Sequence, residues 1–176
     1  MSNPSSKPNP EADAQTARKY NLRSVRRVGL DALAAESDVV FVLAPGGART
    51  HHIINEDFLR KMKKTAVLVN TARGTLVDSD ALAKALREQW IWGAGVDVVE
   101  GEPNVGLDHP LVKEPRYGVV VPYNLVMCTE GTCCRCVVLP HIGSATIETR
   151  LGMATTAAKN LLGALFDEPM PAELKR

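Results

Sequence analysis

The strongest constraint in this chain is a run that alternates little between apolar and polar: Asp38-Val39-Val40-Phe41-Val42-Leu43-Ala44. A run of strand length that is apolar on both sides reads as a strand buried inside a parallel sheet. Parallel strands cannot be joined by a tight turn, so each needs a crossover segment, usually a helix. The chain supplies them in turn. A helix is predicted from the Asn55 cap through Met62, a strand over Ala66 to Asn70, a helix from the Asp78 cap through Glu88, and a strand over Gly93 to Val98. Upstream, Glu11 to Tyr20 and Leu30 to Glu36 read as short helices. Downstream, a last strand at Val137 to Leu139 leads into a long helix from about Thr146 to Phe166. In the helix after Asp78, Leu82, Ala85 and Leu86 share a face meant for the sheet, while Lys84, Arg87 and Glu88 can meet water. Ile147, Leu151, Ala154, Ala158, Leu161 and Leu165 repeat at helical spacing, so the long helix is expected to pack across the sheet. Strict alternation of strand and helix specifies an α/β fold built from βαβ units.

Bulk properties narrow the function classes. The 176 residues suit one domain with a core and fall short of a two-domain oxidoreductase of ordinary size. With 21 Lys plus Arg against 20 Asp plus Glu, the charge of +1 gives no global field to recruit nucleic acid or an anionic membrane. The longest apolar runs, such as Val39 to Pro45 and Ala66 to Val69, are far below the roughly 20 residues that span a bilayer. Met1 to Pro10 carries Ser, Asn, Pro and one Lys without an apolar stretch, matching neither a secretory nor a transit signal, so the expected address is cytoplasmic. Residues 1–20 are expected to be disordered or loosely helical, with the domain over 21–176. Four cysteines, Cys128, Cys133, Cys134 and Cys136, crowd into nine positions, which suggests reduced thiols rather than a disulfide framework. Their spacing is not a paired Cys-x-x-Cys arrangement, and no metal is expected there. His51-His52 reads as a solvated pair at a helix entry, and His109 as a loop residue.

Ligands of open α/β sheets sit beyond the carboxyl ends of the strands, so residues just after each strand are the candidates for chemistry. Arg73 follows the second strand, and a guanidinium fork matches a carboxylate with two parallel hydrogen bonds. His141 follows the last strand and suits proton transfer near neutrality. Glu102 lies in the loop after Asp97, where a carboxylate paired with the imidazole would favour the protonated ring and fix its orientation.

Three phrases carry a resemblance: Met62 to Gly74, which ends Asn70-Thr71-Ala72-Arg73-Gly74; Gly93 to Val98 with Glu102-Pro103; and Leu139-Pro140-His141-Ile142-Gly143-Ser144-Ala145-Thr146. From about Ser37 to Lys175 the chain resembles the nucleotide-binding domain of the D-isomer-specific 2-hydroxyacid dehydrogenases, and within them the glyoxylate/hydroxypyruvate reductases. The tail Pro169 to Leu174 looks like that subfamily's chain end. The resemblance implies a partial Rossmann-like, doubly wound parallel sheet, lacking the first half with the Gly-rich loop and the substrate domain. It implies catalytic roles for Arg73, which holds the keto acid, His141, which gives the proton, and Glu102, which supports His141. It places Ala44, Pro45, Thr71, Ala72, Asp97, Gly143 and Ser144 against an NAD or NADP cofactor, with Asp97 at the nicotinamide carboxamide. Ser5, Ser6 and Lys7 fall near where the family selects NADP. The implied substrate is a small 2-keto or 2-hydroxy acid, and the implied assembly is a homodimer; the sheet edge left by the missing strands would instead favour a non-catalytic fragment that pairs with a full-length homologue.

Two departures from the family pattern bear on activity. Upstream of Val39 no Gly-x-Gly-x-x-Gly phosphate loop is found, which is expected to weaken dinucleotide binding and impair turnover. The 19 residues Tyr117 to Arg135 interrupt what should be a short connection, and removing them rejoins Glu114-Pro115-Arg116 to Cys136-Val137-Val138-Leu139-Pro140-His141. They are expected to be an aberrant inclusion, such as retained intron sequence, looping beside the active site.

Overall fold

The computed structural model describes residues 9–113 and 135–173, together with the backbone of Gly118–Val119. Ser5, Ser6, Lys7, Cys128, Cys133, Cys134 and most of the 117–135 interruption lie outside the described residues. The chain divides into two compact units, Met1–Pro140 and His141–Arg176.

The first unit is built on five parallel strands: β1 (Val39–Val42), β2 (Val67–Asn70), β3 (Gly93–Val96), β4 (Gly118–Val119) and β5 (Cys136–Val138). Their spatial order is β1-β2-β3-β5-β4. Val39 pairs with Val67 and Val67 with Gly93, while Ala94 pairs with Cys136, so the strands run in step toward a common carboxyl edge. Two helices, α1 (Pro10–Lys19) and α2 (Leu30–Glu36), precede β1, and between the strands lie α3 (Glu56–Lys61), a single 3-10 turn η1 (Gly74–Leu76) and α4 (Ser79–Arg87). The fold class is that expected, a parallel Rossmann-like α/β sheet. Four strands are expected from the sequence and a fifth is found: β4 pairs in parallel with β5, Gly118 to Val137 and Val119 to Val138, within the stretch expected to be a loop.

Helix starts obey local chemistry. The Asn55 side chain accepts from the Phe58 amide at 3.0 Å and Asp78 from the Ala81 amide at 2.9 Å, each satisfying an N–H that has no helical partner. The buried helix positions are Phe58 and Leu59 of α3 and Ala81, Leu82, Ala83, Ala85 and Leu86 of α4. They join Val40, Val42, Leu68, Ala94, Val96, Cys136 and Val138 in one core. Outside this core, Arg60 stacks over the Trp90 ring at 3.7 Å, and Glu56 accepts from both Arg60 and Lys84, linking α3 to α4. Burial pushes the Cys136 thiol up to about 12.

The opposite face of the sheet corrects the expectation of strands buried on both sides. Val39 is 48% exposed and Phe41 62%, while Val40 and Val42 are buried. In β1 the run is apolar throughout, but only alternate side chains reach the core described here.

The second unit is dominated by α5 (Ile147–Phe166), capped by Thr146, whose hydroxyl accepts from the Thr149 amide at 3.2 Å. Asp167, at φ 55°, ends it in the left-handed region, and the Glu168 amide returns to the Gly163 carbonyl at 2.8 Å. The tail then folds back along the helix. Asn160 donates to the Ala172 carbonyl and accepts from its amide, and a side chain at Gly163 would stand 2.9 Å from Met170. Ile147, Leu151, Leu161 and Leu165 of the apolar repeat are exposed. Gly163 is the buried residue of this helix.

Leu82 is fully buried where α4 meets the core. Leu82→Ala is expected to destabilise the chain by about 2–5 kcal/mol, through lost transfer energy and a cavity, with the shift read as a lower urea midpoint at unchanged slope.

Candidate functional site

The turn that carries Arg73 is shaped from inside. Asn70 ends β2 fully buried, and its amide is used at both ends: Nδ2 donates to the Arg73 carbonyl at 3.0 Å and Oδ1 accepts from the Ala72 amide at 3.1 Å. A buried amide with both partners satisfied is rigid, and it fixes residues 71–73 as a turn. Arg73 is exposed at its rim, its guanidinium donating to the Ala72 carbonyl at 2.7 Å. Beside it is Gly46, where an added Cβ would come 3.1 Å from Arg73 Cγ. The exit of β1 thus lies against the exit of β2, with Ala44 and Pro45 in the same segment.

Two further contacts bind the exit of β3 to this turn. The Asp97 amide donates to the Asn70 carbonyl at 2.9 Å, and Asp97 itself is buried. A Cβ on Gly74 would sit 2.0 Å from the Val99 carbonyl oxygen, so only glycine allows this backbone-to-backbone approach. In the loop that follows, Glu102 turns back, and its Oε1 accepts from the Val99 amide at 2.7 Å. Within the first unit, therefore, Ala44, Pro45, Thr71, Ala72, Arg73 and Asp97 stand at the carboxyl ends of three adjacent strands, with Glu102 in the loop beyond β3. The second unit begins with His141, exposed and at φ 55°, a region that costs a non-glycine residue energy. Gly143 and Ser144 follow in a turn closed by the Ala145 amide on the Ile142 carbonyl at 2.9 Å, just ahead of the α5 cap.

Sequence reasoning missed three residues. Asn70 is the framework of the Arg73 turn, and its signal was a polar residue ending a buried apolar strand. Glu100 reaches His52, with Nε2 and Oε1 2.7 Å apart, and also accepts from the Ser79 amide at 3.3 Å. His52 is therefore a half-buried hydrogen-bonded group rather than one of a solvated pair; its partner lies 48 positions away and leaves no local trace. His109, expected as a plain loop residue, accepts from the Leu111 amide at its Nδ1 (3.2 Å), while its Nε2 is buried with no hydrogen-bond partner among the described residues.

Two outcomes follow from these contacts. Asn70→Ala removes the partners of the part-buried Ala72 amide and Arg73 carbonyl, and is expected to cost about 0.5–1.5 kcal/mol for each hydrogen bond, seen as lost thermal stability and accelerated hydrogen exchange at Ala72. Burial holds the His109 imidazole below its ordinary value of 6.5, against the opposing charges of Glu100, Asp80 and Asp108. The folded state therefore binds fewer protons than the unfolded chain, so this contribution is complete above pH 6.5 and is lost as the pH falls through the lowered value. Urea unfolding across that range should show a smaller acid loss in His109→Asn than in the unmodified chain.

Comparison with known proteins accords with this arrangement. Residues 7–124 match the family model described as D-isomer specific 2-hydroxyacid dehydrogenase, NAD binding domain. The chain is 48% identical over 143 residues to the glyoxylate reductase of Thermofilum pendens, covering 81% of this chain and 36% of that protein. It is 39% identical over 168 residues to the human glyoxylate reductase/hydroxypyruvate reductase, covering 96% of this chain and 43% of that protein. Among solved structures, the holo D-mandelate dehydrogenase of Rhodotorula graminis superposes with a TM-score of 0.73 at 28% identity, over 99% of this chain and 43% of that one. The chain thus spans less than half the length of these relatives. With three adjacent parallel strand ends and the Asn70-built arginine turn in place, the chain belongs to the D-isomer specific 2-hydroxyacid dehydrogenase family, through its NAD binding domain.

Proposed function

We propose that this chain is the cofactor-binding portion of a reductase for a small 2-keto acid such as glyoxylate or hydroxypyruvate. The observation that carries the reading is Arg73, which stands at the carboxyl edge of a parallel sheet in a turn whose backbone is held by the buried Asn70 amide. The names of the relatives supply the substrate class. The residues present suit a dinucleotide: small side chains at Ala44, Pro45, Thr71 and Ala72 let a ligand approach backbone at adjacent strand ends, and Asp97 offers a carboxylate at the third.

When bound, NADH or NADPH would supply the hydride that reduces the carbonyl carbon. Arg73 holds the substrate carboxylate by paired N–H donors and polarises the adjacent carbonyl. His141 delivers the proton to the carbonyl oxygen, yielding the 2-hydroxy acid, and its departure from relaxed backbone geometry is what a positioned acid would show. Glu102, set by the Val99 amide, is the carboxylate assigned to favour the protonated imidazole.

A second reading is favoured by the place of β1 at the outer end of the strand order, with β2 as its neighbour among the described residues. On that reading the chain is non-catalytic and pairs with a full-length reductase through its edge. The two separate in one experiment. The purified chain is mixed with NADH or NADPH and hydroxypyruvate, and the absorbance of the reduced cofactor is followed. Turnover that falls by on the order of 10²–10⁴ in His141→Ala and is lost in Arg73→Ala supports the enzyme. No turnover at high protein concentration, with co-elution alongside a full-length reductase, supports the partner.

A further inference from the structure

Outside the residues assigned to the reaction, one group of side chains converges without serving it. His51, His52 and Glu100 each offer a donor atom, and these atoms lie within 4.8 Å of one another. The His51 and His52 rings stack with centroids 3.9 Å apart and planes at 27°, which turns two imidazoles toward the same carboxylate. A hydrogen bond accounts for His52 and Glu100, 2.7 Å apart, but not for the third donor. We propose that His51, His52 and Glu100 form a binding site for a divalent transition-metal cation of the Zn2+ or Co2+ type.

Two of the three donors are held in place by backbone. His52 adopts φ 49°, fixed by its amide on the Thr75 carbonyl at 2.9 Å and by the next residues, where Ile54 bridges in parallel to Val77. Glu100 is held by the Ser79 amide on its second oxygen, 3.3 Å away. His51 is exposed and stacks on the His52 ring. Bonds of about 2.0–2.2 Å from imidazole nitrogen and carboxylate oxygen place tetrahedral donors roughly 3.3–3.6 Å apart, and the three donor atoms here already lie within 4.8 Å of one another. The cation takes the lone pair of the His52 nitrogen that faces Glu100, and the ring, bound as the neutral imidazole, carries its proton on Nδ1, the nitrogen on the side of Asp78. Asp78 Oδ2, 3.9 Å from His52 Nδ1, adds negative charge nearby while its other oxygen caps α4. Two nitrogens and one oxygen select borderline cations over Mg2+ or Ca2+, which want all-oxygen shells. A cation here would pin the segment before α3 to the loop after β3, beside the Gly74–Val99 contact.

Cobalt is the probe, because its spectrum distinguishes these ligands from the four cysteines. The full chain is titrated with Co2+, following absorbance and, by equilibrium dialysis, the bound metal. One equivalent is expected, with ligand-field bands and no thiolate-to-cobalt charge transfer. Binding should weaken by at least about tenfold in His51→Ala and in Glu100→Gln, since even loss of an outer-sphere partner costs 10–100-fold. Should Glu100→Gln unfold, His51→Ala alone decides, because among the described residues the exposed His51 ring otherwise only stacks on His52. Absence of saturable binding overturns the proposal. So does unchanged affinity in His51→Ala, or a spectrum dominated by thiolate charge transfer. The readout uses no keto acid and no dinucleotide, so it stands or falls separately from the reductase reading.

Discussion

Parallel pairing is the constraint from which the rest of this molecule follows. Because β1, β2, β3 and β5 run in step, every strand leaves the sheet at the same edge, and every return passes through a crossover on its way to the next start. Chemistry gathers at that edge because the exits are loops, and loops can hold polar side chains that strands in a buried sheet cannot. The exits are not independent. The Asp97 amide rests on the Asn70 carbonyl, Gly74 meets the Val99 carbonyl without a side chain between them, and Val99 in turn holds Glu102. A displacement of one loop is therefore transmitted to the next through main chain, which is stiffer than any contact between side chains.

The helical layer was the most legible part of the fold, for a physical reason. Its signals are local: Asn55, Asp78 and Thr146 each satisfy an amide three residues on, and the face of Leu82, Ala85 and Leu86 repeats with the helix itself. Strand ends were legible to within a residue or two, since an apolar run does not say where pairing stops. The burial of β1 was misread because Val39 and Phe41 are as apolar as Val40 and Val42, and only the sheet's surroundings decide which pair is covered. Strand β4 was not legible at all: two residues of pairing leave no periodicity to read.

In the candidate site the division is similar. Arg73 stood out from the sequence because it follows a strand and because the phrase around it resembles a known family. The Asn70 clamp could have been read from a polar residue closing an apolar strand, since a buried amide requires two partners. Glu100 could not, because its tie to His52 spans 48 positions and depends on the crossing of two loops. Long-range polar pairs of this kind are set by topology, and topology becomes visible only when the strands are laid side by side.

Cys136 shows what the depth of this sheet means for reactivity over time. Its thiol is fully buried at the start of β5 and pushed up to about 12, so almost none of it is ionised while the strand stays paired. Thiolate is the nucleophile, and an alkylating reagent therefore meets this sulfur only during an opening of the strand. The cysteine acts as a built-in clock for the segment that delivers the chain to His141, its labelling rate recording how often that strand parts from β3.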